Sequence, residues 1–138
     1  MREFVLDCSA TLPWIFADEA TAPLRALQDD LARDGKAWVP ALWHLEVANT
    51  LLVARRRNRI SQAGIAKFLA TLQLYPIEVD SETIPVAWSN SLALAESHDL
   101  SAYDATYLEL ALRRGLPLAT LDERLRKAMK KAGGKLAF

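Results

Sequence analysis

Four carboxylates in this chain stand either just past strand-like segments or on helix faces without basic partners. Asp7 ends the apolar run Phe4, Val5, Leu6, and Asp122 follows the segment from Leu116 to Leu121. In open parallel sheets functional groups collect beyond the carboxyl ends of strands, so acids there carry more information than acids elsewhere. Glu46 and Asp104 fall on helical segments. At helical spacing Glu46 has Leu42, Trp43, Asn49 and Thr50, and Asp104 has Leu100, Leu108 and Ala111, with no Lys or Arg on either face. Glu109, by contrast, has Arg113 four residues on, the spacing of an ordinary helical ion pair. Unpaired carboxylates turned inward cost free energy, and four that converge repel one another unless a cation compensates them. Oxygen donors without His or Cys suit hard ions such as Mg²⁺ or Mn²⁺, which activate water and stabilise a leaving oxygen at a phosphodiester.

Structural readings stand beside these. Asp122 also reads as the N-cap of the helix behind it, with Thr120 and Glu123 placed for a capping box, and Ser101 with Asp104 resembles such a box. Asp7 has no equivalent role, because the Cys-Ser-Ala-Thr-Leu-Pro that follows is a weak helix start. Cys8 lacks a His partner and reads as a small core residue. His44 and His98 lack zinc-ligand spacing. Trp14, Trp38, Trp43 and Trp88 read as core or interface residues, and Trp14, in the loop after Asp7, is placed to border a site there. Arg55, Arg56, Arg57 and Arg59 form the sharpest basic cluster. It either favours a helix C-terminus or, with Lys127, Lys130 and Lys131, makes a phosphate-contacting rim for RNA.

The elements that must position these groups alternate along the chain. Residues 3–7 read as a buried strand, and 18–34 as a helix with Leu24, Leu27 and Leu31 inward, stopped by Gly35. A short strand at 37–39 is followed by a helix from Pro40 to about Arg57, for which the spacing predicts Leu42, Leu45, Ala48, Leu51 and Leu52 as the apolar stripe. Ser61 caps a helix to about Leu72, and 74–80 reads as a strand near an edge because Pro76 cannot donate to a ladder. Helices over 82–97 and 101–114, a strand at 116–121, a helix at 122–132 and a last strand at 134–138 complete the pattern. Such alternation predicts a three-layer α/β domain, a central and mainly parallel sheet of about five strands flanked by helices. The 138 residues suit a single domain spanning 1–138.

Seventeen Lys and Arg balance seventeen Asp and Glu, which excludes a highly basic nucleic-acid coat. The distribution is uneven. Residues 1–34 hold three basic and seven acidic side chains, 35–60 five and one, 61–109 one and seven, and 110–138 eight and two. An acidic pocket beside basic surfaces is compatible with this pattern. The one cysteine forms no internal disulfide, no basic and apolar leader opens the chain, and charges interrupt every apolar run short of the roughly 18 residues a membrane span needs. A cytoplasmic protein without a membrane span is the expectation.

In these pieces the chain resembles the PIN-domain ribonucleases, in particular the VapC toxins of bacterial toxin–antitoxin pairs. The resemblance spans essentially the whole chain. It rests on the opening Phe-Val-Leu-Asp7-Cys-Ser9, on Glu46 in Trp-His-Leu-Glu-Val-Ala-Asn, on Leu-Ser-Ala-Tyr-Asp104-Ala-Thr-Tyr-Leu-Glu-Leu-Ala, and on Leu-Ala-Thr120-Leu-Asp122. It implies that Asp7, Glu46, Asp104 and Asp122 form an acidic Mg²⁺ or Mn²⁺ site, with Asp7 and Asp104 holding the metal most directly and Ser9 and Thr120 as supporting hydroxyls. It implies an endoribonuclease that leaves a 3′-hydroxyl and a 5′-phosphate, a cognate VapB-type antitoxin and a homodimer. Asp99 matches weakly and stands outside the set.

Other readings are weaker. A haloacid-dehalogenase-like phosphatase needs Asp-x-Asp where this chain has Asp7-Cys8-Ser9, and a receiver domain needs an early acidic pair, with only Asp80 to stand in for its phosphoacceptor. The rival from another class is a catalytically silent PIN-like module that binds RNA or a protein partner.

Overall fold

The computed structural model describes residues 2–16 and 18–138. Strand β1 (Glu3–Leu6) is buried through Phe4, Val5 and Leu6 and lies inside the sheet, as a run without alternation requires. Asp7 then turns the chain into the short helix α1 (Cys8–Thr11) and one 3₁₀ turn at Leu12–Trp14. Helix α2 (Ala22–Arg33) begins later than residue 18, because Pro23 occupies its first turn and Thr21 is extended before it. Leu24, Leu27 and Leu31 are buried as expected. Gly35 ends this passage for a steric reason: a Cβ there would come within 2.7 Å of the Asp30 carbonyl oxygen.

Strand β2 (Lys36–Val39) leads to helix α3 (Trp43–Arg56), where the inward stripe differs from the expected one. Trp43, Val47, Leu51 and Ala54 are buried, whereas Leu45, Ala48 and Leu52 face outward, with Leu45 74% exposed. Both faces of this helix carry aliphatic residues at helical spacing, and the bulk of Trp43 goes inward. Helix α4 (Gln62–Gln73) is capped by Ser61, whose hydroxyl accepts the Gly64 amide. Strand β3 (Ile77–Val79) is an edge strand, as expected. The expected helix over 82–97 is instead turns at 81–86, a π-helical turn at Ala87–Ser91 and helix α5 (Leu92–His98). Helix α6 (Ala102–Arg114), ended by left-handed Gly115, strand β4 (Leu118–Ala119) and helix α7 (Glu123–Lys131) follow.

The sheet has four strands in the order β3-β2-β1-β4, all pairs parallel, flanked by helices. The expected fifth strand at 134–138 contributes one isolated parallel bridge, Leu118 with Leu136. The two residues of β4 offer it no longer ladder. Leu6 pairs with Ala119, and Val39 with Val79, so Asp7, Thr120 and Asp80 all leave the sheet at its carboxyl edge. Helix α6 is buried on every side from Ala105 to Ala111, with Tyr107, Leu108, Leu110 and Ala111 completely enclosed. Among the described residues no helix is long and apolar enough to cross a membrane.

Candidate functional site

Parallel pairing of β1 with β4 sets the first two groups side by side. The Asp7 amide donates to the Ala119 carbonyl at 2.9 Å, which brings the side chain of Thr120 against that of Asp7. Asp7 is buried, and its Oδ2 accepts the Ser9 and Thr120 hydroxyls, each at 2.7 Å. A hydroxyl has one proton to give, so the 3.2 Å between Ser9 Oγ and Thr120 Oγ1 is proximity rather than a third donated bond. Their lone pairs accept the Leu121 amide at Ser9 Oγ and the Asp122 amide at Thr120 Oγ1. Both supporting hydroxyls are thereby aimed at Asp7. The Arg126 guanidinium donates to the Thr120 and Phe138 carbonyls and fixes the same turn from outside.

The helices supply the other acids. Glu46 lies in the first turn of α3 and Asp104 in the first turn of α6, where the helix dipole favours negative charge. Ser101 accepts the Asp104 amide, half of the expected capping box. Asp122 caps α7 itself, accepting the Leu125 amide at 2.9 Å, while Thr120 turns its hydroxyl to Asp7. The fully buried Tyr107 sits one turn beyond Asp104 and donates to Glu46 Oε1 at 2.5 Å, tying α6 to α3. Thr50 donates to the Glu46 carbonyl.

One pocket of about 300 Å³ gathers these groups: Asp7, Ser9, Glu46, Thr50, Asp104 and Asp122 line it, with Cys8 and Leu12. No Lys, Arg or His does. Burial raises the Asp7 carboxyl above its ordinary value, and Asp122 raises it further against the opposing bonds from Ser9 and Thr120. Burial likewise raises Glu46, with the charges of Asp7 and Asp104 adding to it and the Tyr107 bond opposing. Asp104 is raised by burial, then by Asp122 and Asp7. The pocket therefore lacks positive charge. Among the described residues no three His, Cys, Asp or Glu side chains converge into a ready-made metal cluster. The donor chemistry fits a hard divalent cation all the same: carboxylate and hydroxyl oxygens, with the pKa values of Asp7, Glu46 and Asp104 raised by burial first and by neighbouring carboxylates second.

Cys8 is a core residue whose thiol burial pushes up to about 12, which removes it as a nucleophile. His44 packs edge-on against Trp43, and neither it nor His98 lines the acidic pocket. Trp14 turns away from the pocket, donating to the Leu24 carbonyl and meeting Tyr75 edge-on. Trp43 is buried and Trp88 is 94% exposed. Of the basic cluster, Arg59 pairs with Glu19 and Asp18 and lies over Phe16, and Arg55 donates to Gln62. Arg56 and Arg57 are exposed, and Lys127, Lys130 and Lys131 lie on α7. Tyr107 and Thr50 escape sequence reasoning. The available signal is spacing, Tyr107 three residues after Asp104 and Thr50 four after Glu46.

A family model described as PIN domain matches residues 4–131 of the chain. None of the curated proteins matches it. Among solved structures the chain is similar to the crystal structure of PAE2754 from Pyrobaculum aerophilum, with a TM-score of 0.67 and 20% sequence identity over 92% of this chain and 84% of that one. That likeness shows a shared fold.

Proposed function

The chain belongs to the PIN-domain family, and from that premise we propose that it is a Mg²⁺- or Mn²⁺-dependent endoribonuclease, the cytoplasmic toxin of a type II toxin–antitoxin pair. PIN domains are typically nucleases, so hydrolysis of nucleic-acid phosphodiesters is the coarser reading. The observation that carries the finer one is a single pocket lined by four carboxylates and no basic side chain. Asp7 and Asp104 would hold the ion, with Glu46 and Asp122 completing its surroundings. When bound, a divalent ion supplies a Lewis acid for the phosphoryl oxygens and lowers the pKa of water.

The protein's own groups supply orientation and proton transfer. Ser9 and Thr120 fix one oxygen of Asp7, so its rotamer is set before substrate arrives. Tyr107 occupies Oε1 of Glu46, which leaves Oε2 to accept a proton from the attacking water. Tyr107→Phe removes only the hydroxyl, and loss of an orienting partner of this kind costs about 10- to 100-fold in metal affinity or activity. Titration with Mn²⁺ and single-turnover cleavage are expected to register a loss in that range, with circular dichroism unchanged.

Purified protein is expected to cut single-stranded RNA when given Mg²⁺ or Mn²⁺, to stop on chelation and to resume when the ion is restored. A homodimer and a VapB-type antitoxin belong to the same proposal, and exposed Leu45, Ile84 and Trp88 provide apolar surface for such contacts. Toxicity on induced expression, relieved by co-expressing the antitoxin, tests that part. The second reading, a silent module, is favoured by the lack of a ready-made metal cluster among the described residues. RNA binding without cleavage in either metal would select it.

A further inference from the structure

A second pocket has the opposite character. It encloses about 270 Å³ between the end of α5, with Ser97, His98 and Asp99, and one face of α7, with Arg124, Lys127 and Lys131. The three cations recur at the helical spacing of three and four residues, so they share that face. None of them has an ion pair or hydrogen bond among the described residues, whereas Arg2, Arg59, Arg113 and Arg114 are all committed to carboxylates. Asp99 is the only acid on the lining, against three fixed positive charges.

Helix stability explains only part of this. A cation in the last turn, such as Lys131, interacts favourably with the helix dipole. Arg124 lies in the first turn, where the dipole disfavours it, and among the described residues no acid pairs with it. Solvation of an exposed basic face is the bland reading, yet these side chains enclose a pocket with a hydroxyl and an imidazole as further hydrogen-bond donors.

Both walls of this pocket lead into the acidic site. The α5 end runs through Leu100 to Ser101, the cap of the helix that bears Asp104. Arg124 follows Asp122 by two residues, about 3 Å along the axis, and Lys131 lies about 13 Å along it. We propose that this pocket binds a backbone phosphate of the RNA strand beside the one being cut. The inference rests on the ribonuclease reading of the acidic pocket and adds to it a defined phosphate subsite. Arg, Lys and a hydroxyl match phosphate oxygens in charge and hydrogen bonding. Continuity with the acid site favours the substrate strand over an acidic protein segment.

The test uses Asp7→Asn protein, so that binding is measured without cleavage, with a single-stranded RNA oligonucleotide over a range of salt. In that background, combined Arg124→Gln, Lys127→Gln and Lys131→Gln changes are expected to weaken binding at least about tenfold. The slope of log affinity against log salt should flatten by about 0.7 for each phosphate that the protein no longer neutralises. Arg25→Gln, Arg33→Gln and Lys67→Gln together remove the same charge from exposed positions elsewhere and should cost far less. In the cleaving protein the loss should fall chiefly on KM.

Unchanged affinity and slope, or an equal loss in the control variant, would overturn the proposal. So would RNA binding that survives while binding of a polyglutamate peptide is abolished, which would give the pocket to an acidic protein. If the parent cuts no RNA but the triple change still abolishes RNA binding, the subsite stands and the nuclease reading fails. If the parent cuts and the triple change alters neither binding nor KM, the subsite alone fails.

Discussion

Asp7→Asn is expected to reduce RNA cleavage by at least about 10³-fold and at the same time to raise the melting temperature of the metal-free protein at neutral pH. The first effect follows from the position of Asp7 among the four carboxylates, where its negative charge would bind the ion that polarises the phosphodiester. The asparagine side-chain oxygen can still accept the Ser9 and Thr120 hydroxyls, so the surrounding structure is retained. The second effect follows from linkage. Burial and Asp122 hold the folded pKa of Asp7 above its unfolded value, so folding takes up a proton. The associated stability is fully present below the ordinary carboxylate pKa of about 4 and is lost as pH rises through the folded value. Glu46 and Asp104 are raised in the same direction and add to the trend. Thermal unfolding of the metal-free parent between pH 4 and 8 should therefore show this contribution declining, and the asparagine variant should show less of the decline. Equal cleavage rates in variant and parent would remove Asp7 from the metal site.

Asp80→Asn is expected to destabilise the fold by about 3–5 kcal/mol, the range for removing one partner from a buried ion pair. The Asp80 side chain is fully buried. It accepts two bonds from Arg113, two from Arg114, one from the Thr83 hydroxyl and one from the Glu82 amide. Arg113 also grips the buried Glu109, and Arg114 lies over the Trp38 ring at 3.5 Å. Neutralising Asp80 leaves two partly exposed guanidiniums facing one carboxylate. The expected loss in melting temperature is about 10–20 °C, and the two-state midpoint in urea should fall with it. Here the pH dependence has the opposite sign. Burial alone would raise the Asp80 pKa, but Arg113, Thr83 and Arg114 hold it well below the usual carboxylate range. Its contribution is present above the unfolded value near 4 and is lost only as pH falls through the depressed one. A melting temperature that moves by less than about 3 °C would mean that the network adds little.

Much of this architecture is legible in the amino-acid order. Strand β1, the leucines of α2, the Ser61 cap, the edge position of β3 and the Gly115 stop follow from local chemistry. Of the four acids that share one pocket, Glu46 and Asp104 can be singled out because no basic residue stands at helical spacing on their faces, and Asp7 and Asp122 because they follow strand-like segments. What escapes is long-range or degenerate. Helix α3 has aliphatic residues on two faces, and only tertiary packing selects Val47 over Leu45. Tyr107 reads as core on a helix buried along most of its length, and the partner of its hydroxyl is 61 residues away. Pairing of Glu109 with Arg113 follows from their spacing, but Asp80 joins them from 33 residues off. The tail at 134–138 has strand-like composition, yet β4 is too short to pair with more than one of its residues.

The double duty of Asp122 bears on how such a chain decays under mutation. Its carboxylate both lines the acidic pocket and accepts the Leu125 amide at the start of α7. Selection for folding alone would keep an N-cap there after catalysis had lapsed, with serine or asparagine as substitutes. Asp7 carries no such insurance. Its buried charge works against the empty fold, so in a descendant released from the proposed nuclease activity it would be among the first of the four to drift. An aspartate at position 7 is thus the more telling trace of a working site than the aspartate at 122.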